Sequence, residues 1–311
     1  MSDAPVRVVY VAGAGRSGST LLGMLLGTLP GTAAVGELRH VWQRGVREDQ
    51  LCGCGQPFST CPFWQDVGRR AFGGWDHAPT DRMIQLQRRV DRFRRLPAVA
   101  AGRMAPRTHA CVEEYAQVYA ELYRAVSDAA GGAMVVDTGK SVTFAATIGR
   151  HAELDMRVLH LVRDPRAVSY SWTRRRPMPE VRGEEAYMAT FSPFQSSLVW
   201  LGNNAAADAL RLIRLPVTEL RYELLVGGGR SQALVRIAAC VGRPASQVAE
   251  LARDEVAVGV QHTAAGNPAR FAAGSVRLRA DEEWRTGMPA GDRRMVSAVT
   301  FPLLLRYGYR P

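Results

Sequence analysis

The sequence predicts an α/β fold, a phosphate-loop type of parallel sheet flanked by helices on both faces. Three observations carry that expectation. The run VVYVAGAGRSGSTLLGMLLGTL at 8–29 reads as strand, glycine-rich loop and helix in immediate succession. Further short β-prone runs recur at 133–136, 157–162 and 217–221, each separated from the next by a helical stretch. Strands joined through helices pair in parallel and are covered on both faces. With no internal repeat, low-complexity tract or linker, the 311 residues read as one domain.

Taken in order, 8–11 is a buried strand, and Gly13, Gly15 and Gly18 free the backbone for a tight turn. Leu21, Leu22, Leu25, Leu26 and Leu29 then recur at helical spacing until Pro30-Gly31 stops them. A turn leads into Val35-Gly36-Glu37, followed by an irregular cysteine-containing loop and a helical stretch over 80–130. The region 45–130 reads as an insertion that shapes an acceptor site. Gly131-Gly132 precede the second strand at 133–136, and helix leads on to the third at 157–162. After it, Asp164 suits a helix N-cap and Pro165 the first helical position, with Ala167, Ser171 and Arg174 on one face. Helix is expected to 214, a fourth strand at 217–221 and helices beyond; Trp284 and the terminal LLLRYGYRP read as packing elements.

The first loop almost spells GxxxxGK[ST]. Gly13 and Gly18 hold the glycine positions, but Ser19 stands where the lysine belongs, and the nearest cation is Arg16. Amides of such a loop converge on an anion at a helix N-terminus. A loop that keeps the cradle and moves the cation points to a phosphate chain held without kinase chemistry. Arg163, at the end of the third strand, offers a planar fork of donors, and Ser171 a hydroxyl one face-turn along.

The net charge is +11, and about half the excess lies in 81–107, where eight arginines face only Asp81 and Asp91. That pattern reads as a solvated helix face, with a rim that steers polyanions as the sharper alternative. No nucleic-acid motif accompanies it, so no nucleic-acid partner is expected. No apolar run approaches the ~20 residues of a membrane span, and the first strand begins too early for a signal peptide; a cytoplasmic protein without membrane association is expected. Five cysteines are present. Cys52, Cys54 and Cys61 form CxC plus one, short of the four ligands a zinc site takes. Completion would need Cys111 or a histidine such as His40 or His77. A reduced cysteine loop, whose Phe58, Phe63 and Trp64 pack over the cleft, is the favoured reading, with zinc or a disulfide as alternatives.

On these motifs the chain resembles the sulfotransferases that use 3′-phosphoadenosine 5′-phosphosulfate (PAPS). Arg16-Ser17-Gly18-Ser19-Thr20 is similar to their first phosphate loop, and Arg163 with Ser171, eight residues on, to their 3′-phosphate motif. VVDTGK at 135–140, LRYELL at 220–225 and HTAAGNPARF at 262–271 follow in the same order, so the resemblance spans nearly the whole chain. It implies PAPS as donor, 3′,5′-ADP as product and no metal requirement. It also implies donor contacts from Gly15 to Thr20, from Arg163 and Ser171, from Tyr222 at adenine, and from Gly266, Asn267 and Arg270 in a loop closing on the 3′-phosphate.

The general base departs from one branch of that family. Cytosolic sulfotransferases carry Lys-x-His where this chain has Lys140 and then Val142. Tyrosylprotein sulfotransferases place a catalytic glutamate in a Gly-Glu pair 21 residues after the loop arginine, the separation of Arg16 and Glu37. Glu37 is therefore the expected base, with His40 as substitute. Lys140 and Arg16 are expected on the sulfonate and the leaving phosphate. The acceptor expected is a hydroxyl of a small molecule: a natural product, a sugar or a lipid. A small-molecule kinase and a non-catalytic adenosine-phosphate binder are the alternatives.

Overall fold

The structure is a computed structural model and describes residues 4–181 and 186–310. The strands are β1 (Val6–Ala12), β2 (Thr32–Gly36), β3 (Met134–Lys140), β4 (Leu154–Val162) and β5 (Val217–Arg221), with β6 (Glu255–Val258) and β7 (Gly274–Arg277) forming a separate antiparallel pair. The helices are α1 (Ser19–Leu26), α2 (Pro62–Phe72), α3 (Thr80–Val90), α4 (Leu96–Ala100), α5 (Pro106–Ala129), α6 (Val142–Ile148) and α7 (Pro165–Thr173). After them come α8 (Pro193–Ala209), α9 (Tyr222–Val226), α10 (Arg230–Val241), α11 (Trp284–Gly287) and α12 (Ala290–Arg306).

The main sheet has five strands in the order β2-β3-β1-β4-β5, and its pairings are parallel throughout. The two-residue alternation of β1 divides the core. Val8 and Tyr10 join a cluster with α5 and α6, whereas Val9 and Val11 join one with α1 and α10. Both faces of the sheet are thus covered, as expected. Val162 and Ala14 lie in a third apolar cluster with Trp200, Leu304 and Tyr307.

Several bounds move. The stretch leading into Val35-Gly36-Glu37, read as a turn, forms edge strand β2 (Thr32–Gly36), where pairing to β3 overrides the weak strand preference of the two alanines. β3 continues through Asp137-Thr138-Gly139 to Lys140, because the buried Asp137 finds partners there. Its carboxylate accepts from the Tyr123 hydroxyl at 2.6 Å and from the Gly139 amide at 2.7 Å. The helical stretch to 214 divides into α7 and α8; its residues 182–185 lie outside the described ones, as do 1–3 and 311. Asp164 caps α7 by accepting from the Arg166 amide, with Pro165 at the first position. Beyond β5, β6 and β7 interrupt the expected helices, and residues 259–273 between them run back along the β2 edge: Gly36 bridges Ala265 in parallel.

The region 45–130 holds α2 to α5, and α5 packs on β1 and β3, so it supplies part of one helical layer. On α3, Met83, Ile84, Leu86 and Val90 turn inward, leaving Arg82, Arg88 and Arg89 exposed, with Arg82 bonded to Glu114 at 2.7 Å. That arrangement is the solvated helix face expected of the arginine run. No described helix is long and apolar enough to cross a membrane.

Leu22 is fully buried where α1 meets the sheet. Leu22→Ala is expected to cost about 3 kcal/mol of folding stability, from lost transfer energy plus the residual cavity, read as a shift in the urea midpoint at unchanged slope.

Candidate active site

Each strand of the main sheet delivers one of the expected site residues at or just beyond its carboxyl end: Arg16 after β1, Glu37 after β2, Lys140 at the end of β3, Arg163 after β4 and Tyr222 after β5. They line a single cleft of about 380 Å³ together with Gly15, Gly18, Ser19, Thr20, Ser171, Gly266 and Asn267. Parallel α/β sheets hold their ligands outside these strand ends, so the location follows from the topology.

The loop after β1 makes the floor. Gly18 adopts φ 92° at the start of α1, and the Tyr222 ring packs where its Cβ would be, about 2.5 Å away; only glycine satisfies both. The first turn of α1 has amides without a helical partner, and its residues Ser19, Thr20 and Leu21 line the cleft. Arg16 holds a left-handed φ of 67°. Its guanidinium nitrogens are buried with no hydrogen-bond partner among the described residues, and the group lies 4.9 Å from the Trp172 ring. Burial, then Arg176, lowers Arg16 to about 10, so the group is still cationic at neutral pH. Ser17, expected on the donor, turns inward: it is buried, does not line the cleft, and its hydroxyl has no partner among the described residues.

Opposite the loop, the Lys140 ammonium donates to a Glu37 carboxylate oxygen. Lys140 holds φ 61° where β3 slips register against β1. It pairs with Glu37 and not with Asp137, its sequence neighbour. Burial pushes Glu37 up, but Lys140, then His40 and Arg44, outweigh it and hold the carboxyl below its ordinary value. The group is therefore a carboxylate at neutral pH. His40 Nε2 lies 3.6 Å from the other Glu37 oxygen. Burial, opposed by Glu37 and reinforced by Arg44, pulls His40 down to about 3, so it is neutral and a poor proton acceptor. His40 does not line the cleft.

Arg163 is buried over the Tyr222 ring, 4.7 Å from its centroid. It donates to the Arg16 carbonyl at 3.1 Å and to the Asp281 carboxylate at 3.0 Å. An anion thus already occupies part of its fork, from a side chain that is 40% exposed. Ser171 lines the cleft beside it.

Arg270 needs correction. It was expected on the 3′-phosphate, yet it is 3% exposed and does not line the cleft. It donates to the Thr263 and Leu51 carbonyls, both at 2.8 Å. Its length lets it bridge the loops that carry Leu51 and Thr263, so two of its nitrogens are already bonded to backbone. Gly266 and Asn267 do line the cleft.

Sequence reasoning missed Arg44, Trp172, Arg176 and Met188, all of which line the cleft. Arg44 comes from a wide π-helical turn, Val41–Arg47, a distortion frequent at functional sites. Trp172 stood next to Ser171 in the quoted motif, the one available signal. No disulfide joins cysteines among the described residues. Cys52, Cys54 and Cys61 converge with His262, and neither Cys111, His40 nor His77 joins them. Phe58 and Trp64 are core residues beneath that loop.

No protein-family model matches the chain, and no curated protein matches it in sequence. Its structure is similar to the sulfotransferase domain from the Synechococcus PCC 7002 olefin synthase, with a TM-score of 0.53 and 20% identity over 100% of this chain and 97% of that one. It is also similar to the sulfotransferase domain from the curacin biosynthetic pathway, with a TM-score of 0.53 and 16% identity over 99% of each chain. The chain has the sulfotransferase fold from end to end.

Gly36 sets the approach of Glu37. It holds φ 74°, its Cβ would collide with the Ala265 carbonyl, and that carbonyl accepts from the Glu37 amide at 3.0 Å. Gly36→Ala is expected to destabilise the protein by about 2 kcal/mol, measured by chemical denaturation.

Proposed function

We propose that this protein transfers the sulfonate group of PAPS to a hydroxyl of a small-molecule acceptor, releasing 3′,5′-ADP. One observation carries the reading above the others: Arg16, whose buried guanidinium has no hydrogen-bond partner among the described residues, stands at the mouth of a glycine loop and a helix N-terminus. A cation in that setting calls for an anion. Around it Arg44, Lys140, Arg163 and Arg176 line the same cleft, with Glu37 as the one carboxylate among the described residues that line it. The sulfotransferase fold supports sulfonate as the group moved. Ser19 in place of the loop lysine disfavours a kinase.

In this reading the loop amides, Arg16 and the Thr20 hydroxyl take the 5′-phosphate. Arg163 and Ser171 take the 3′-phosphate, which displaces Asp281 from the arginine fork. Tyr222 lies against the base. Gly266 and Asn267 border the nucleotide on the β2 side. The acceptor oxygen enters beside Glu37 and Arg44, next to the 45–130 region.

Transfer forms a bond from the acceptor oxygen to sulfur and breaks the bond from sulfur to the phosphate oxygen. That electron pair goes to the departing 3′,5′-ADP, and the hydroxyl proton goes to Glu37. The sulfonate itself arrives next to Lys140, drawing the ammonium away from Glu37. The carboxylate then loses the partner that lowers it while its burial persists, so its proton affinity rises when a base is needed. Arg16 stabilises the charge growing on the leaving phosphate. His40 stays neutral and helps hold the carboxylate.

Calorimetric titration tests the donor site. 3′,5′-ADP is expected to bind far better than 5′-AMP or ATP, and Arg163→Ala to weaken it roughly 10- to 100-fold. Equal or better binding of ATP would overturn the reading in favour of the kinase.

Glu37→Gln tests the base. Turnover is expected to fall about 10²- to 10⁴-fold while 3′,5′-ADP still binds; unchanged turnover excludes the role. In the free enzyme Glu37 lies below the ordinary carboxylate range, and activity disappears as pH falls through its pKa. The acid limb of kcat/KM for the donor therefore lies below that range, and that of kcat, measured with the donor bound, lies at higher pH.

A further inference from the structure

Away from the cleft, three sulfurs and a ring nitrogen approach one another where no carboxylate or catalytic group intervenes. Cys52 and Cys54 flank a tight knuckle: Gly55 donates its amide to the Cys52 carbonyl at 2.8 Å, Gly55 holds φ 85°, and Leu51 bridges Pro57 across it. Cys61 caps the N-terminus of α2, where a thiolate is favoured. His262 reaches the group from 201 residues along the chain, and the Phe63 ring stacks on it at 5.0 Å and 14°. We propose that Cys52, Cys54, Cys61 and His262 form a closed, tetrahedral, structural Zn²⁺ site that ties the cysteine loop to residues 262–270.

The distances carry the assignment. Zinc bonds of about 2.3 Å to sulfur and about 2.0 Å to nitrogen put S···S edges of a tetrahedron at about 3.8 Å and S···N edges at about 3.5 Å. Here Cys54 Sγ lies 3.8 Å from Cys61 Sγ, and Cys61 Sγ 3.6 Å from Cys52 Sγ. His262 Nδ1 lies 3.8 Å from Cys52 Sγ and 3.3 Å from Cys61 Sγ. All four ligand atoms fall within 4.8 Å of one another. A disulfide would single out one pair near 2 Å, whereas Cys61 Sγ stands 3.6 and 3.8 Å from the other two sulfurs. Three thiolates and one imidazole in this geometry select zinc among common divalent ions.

Charge agrees with geometry. Three thiolates and a neutral imidazole around Zn²⁺ leave a single negative charge. The buried Arg270 guanidinium lies beside it, donating to Leu51 and Thr263, the residues next to Cys52 and His262. Burial lowers Arg270, and Glu180 works against that loss. The site also abuts the cleft: the Gly53 amide donates to the Thr263 carbonyl at 3.0 Å, and Ala265 accepts from Glu37. On the donor reading proposed above, the metal would then hold Gly266 and Asn267 in place.

Untagged protein, purified without chelator, should contain about one zinc per chain by mass spectrometry of the metal. Reduced apoprotein titrated with Co²⁺ should develop the visible bands of a tetrahedral site and a sulfur-to-cobalt charge-transfer band, with release of protons. Cys54→Ser and His262→Ala should lose stoichiometric metal, and Cys111→Ser and Cys240→Ser should keep it. Metal-free wild type that yields no tetrahedral cobalt spectrum overturns the proposal, as does a native disulfide among the three cysteines. These wild-type readings decide the matter even if a variant does not fold. Removing the metal should weaken 3′,5′-ADP binding about tenfold. Stoichiometric zinc in a protein that binds no nucleotide would keep the site and sink the donor reading instead; unchanged nucleotide affinity on metal removal would overturn the coupling alone.

Discussion

The strands of a parallel sheet end together, and this protein concentrates its chemistry on that one edge. Parallel strands must be connected by crossovers, so each carboxyl end turns into a loop on the same side. Arg16, Glu37, Lys140, Arg163 and Tyr222 are remote in sequence and adjacent in space for that reason alone. The sheet does more than gather them. Slips of register at the ends of β3 against β1 and of β2 against β3 splay the last residues, and Lys140 with its positive φ is turned toward Glu37 on the neighbouring strand. Strain of this kind persists only where surrounding structure overdetermines it, and here the fully packed core on both faces does so.

The electrostatics of the cleft are unbalanced by design of the same edge. Burying cations without partners costs free energy, yet Arg16 is buried so, and Arg44 and Arg176 add like charge around it. The protein holds two partial answers, Asp281 on Arg163 and Glu37 on Lys140. Both partners sit on side chains that a polyanionic ligand would approach. On the proposed donor reading, ligand charge does the work of a missing counter-ion, and an anion in the cleft would stabilise the folded chain by mass action.

Much of this was legible in the sequence, and the exceptions share a cause. β5 and the loop from Gly13 to Thr20 were readable because local pattern and turn chemistry agree there. Asp164 and Pro165 at the start of α7 were readable for the same reason. β2 was not, because Ala33 and Ala34 carry little strand preference and form a strand only by lying against β3. β6 and β7 span four residues each, too short for alternation to register. The inward turn of Arg270 onto Thr263 and Leu51 was not legible because motif order does not say which way a long side chain turns. His262 escaped as a partner of the cysteines since nothing local links it to Cys61; the 259–273 segment has to return along the β2 edge before they meet. Arg44 and Arg176 had no signal beyond being arginines in an arginine-rich chain.

That returning segment explains how a carboxylate can be both buried and well aimed. Glu37 follows an edge strand, the least constrained position in a sheet, and by itself β2 would leave it on a mobile loop end. The 259–273 segment closes the edge: Ala264 donates to the Val35 carbonyl at 2.9 Å and Ala265 accepts from the Glu37 amide. Its own placement is set in turn by Arg270, which grips Thr263 on one side and Leu51 on the other, and by the knuckle around Cys52. Positional accuracy at Glu37 thus derives from contacts made by residues that do not line the cleft. Side chains that line the cleft are then free to exchange partners when an anion arrives, because the backbone that carries them is held from elsewhere.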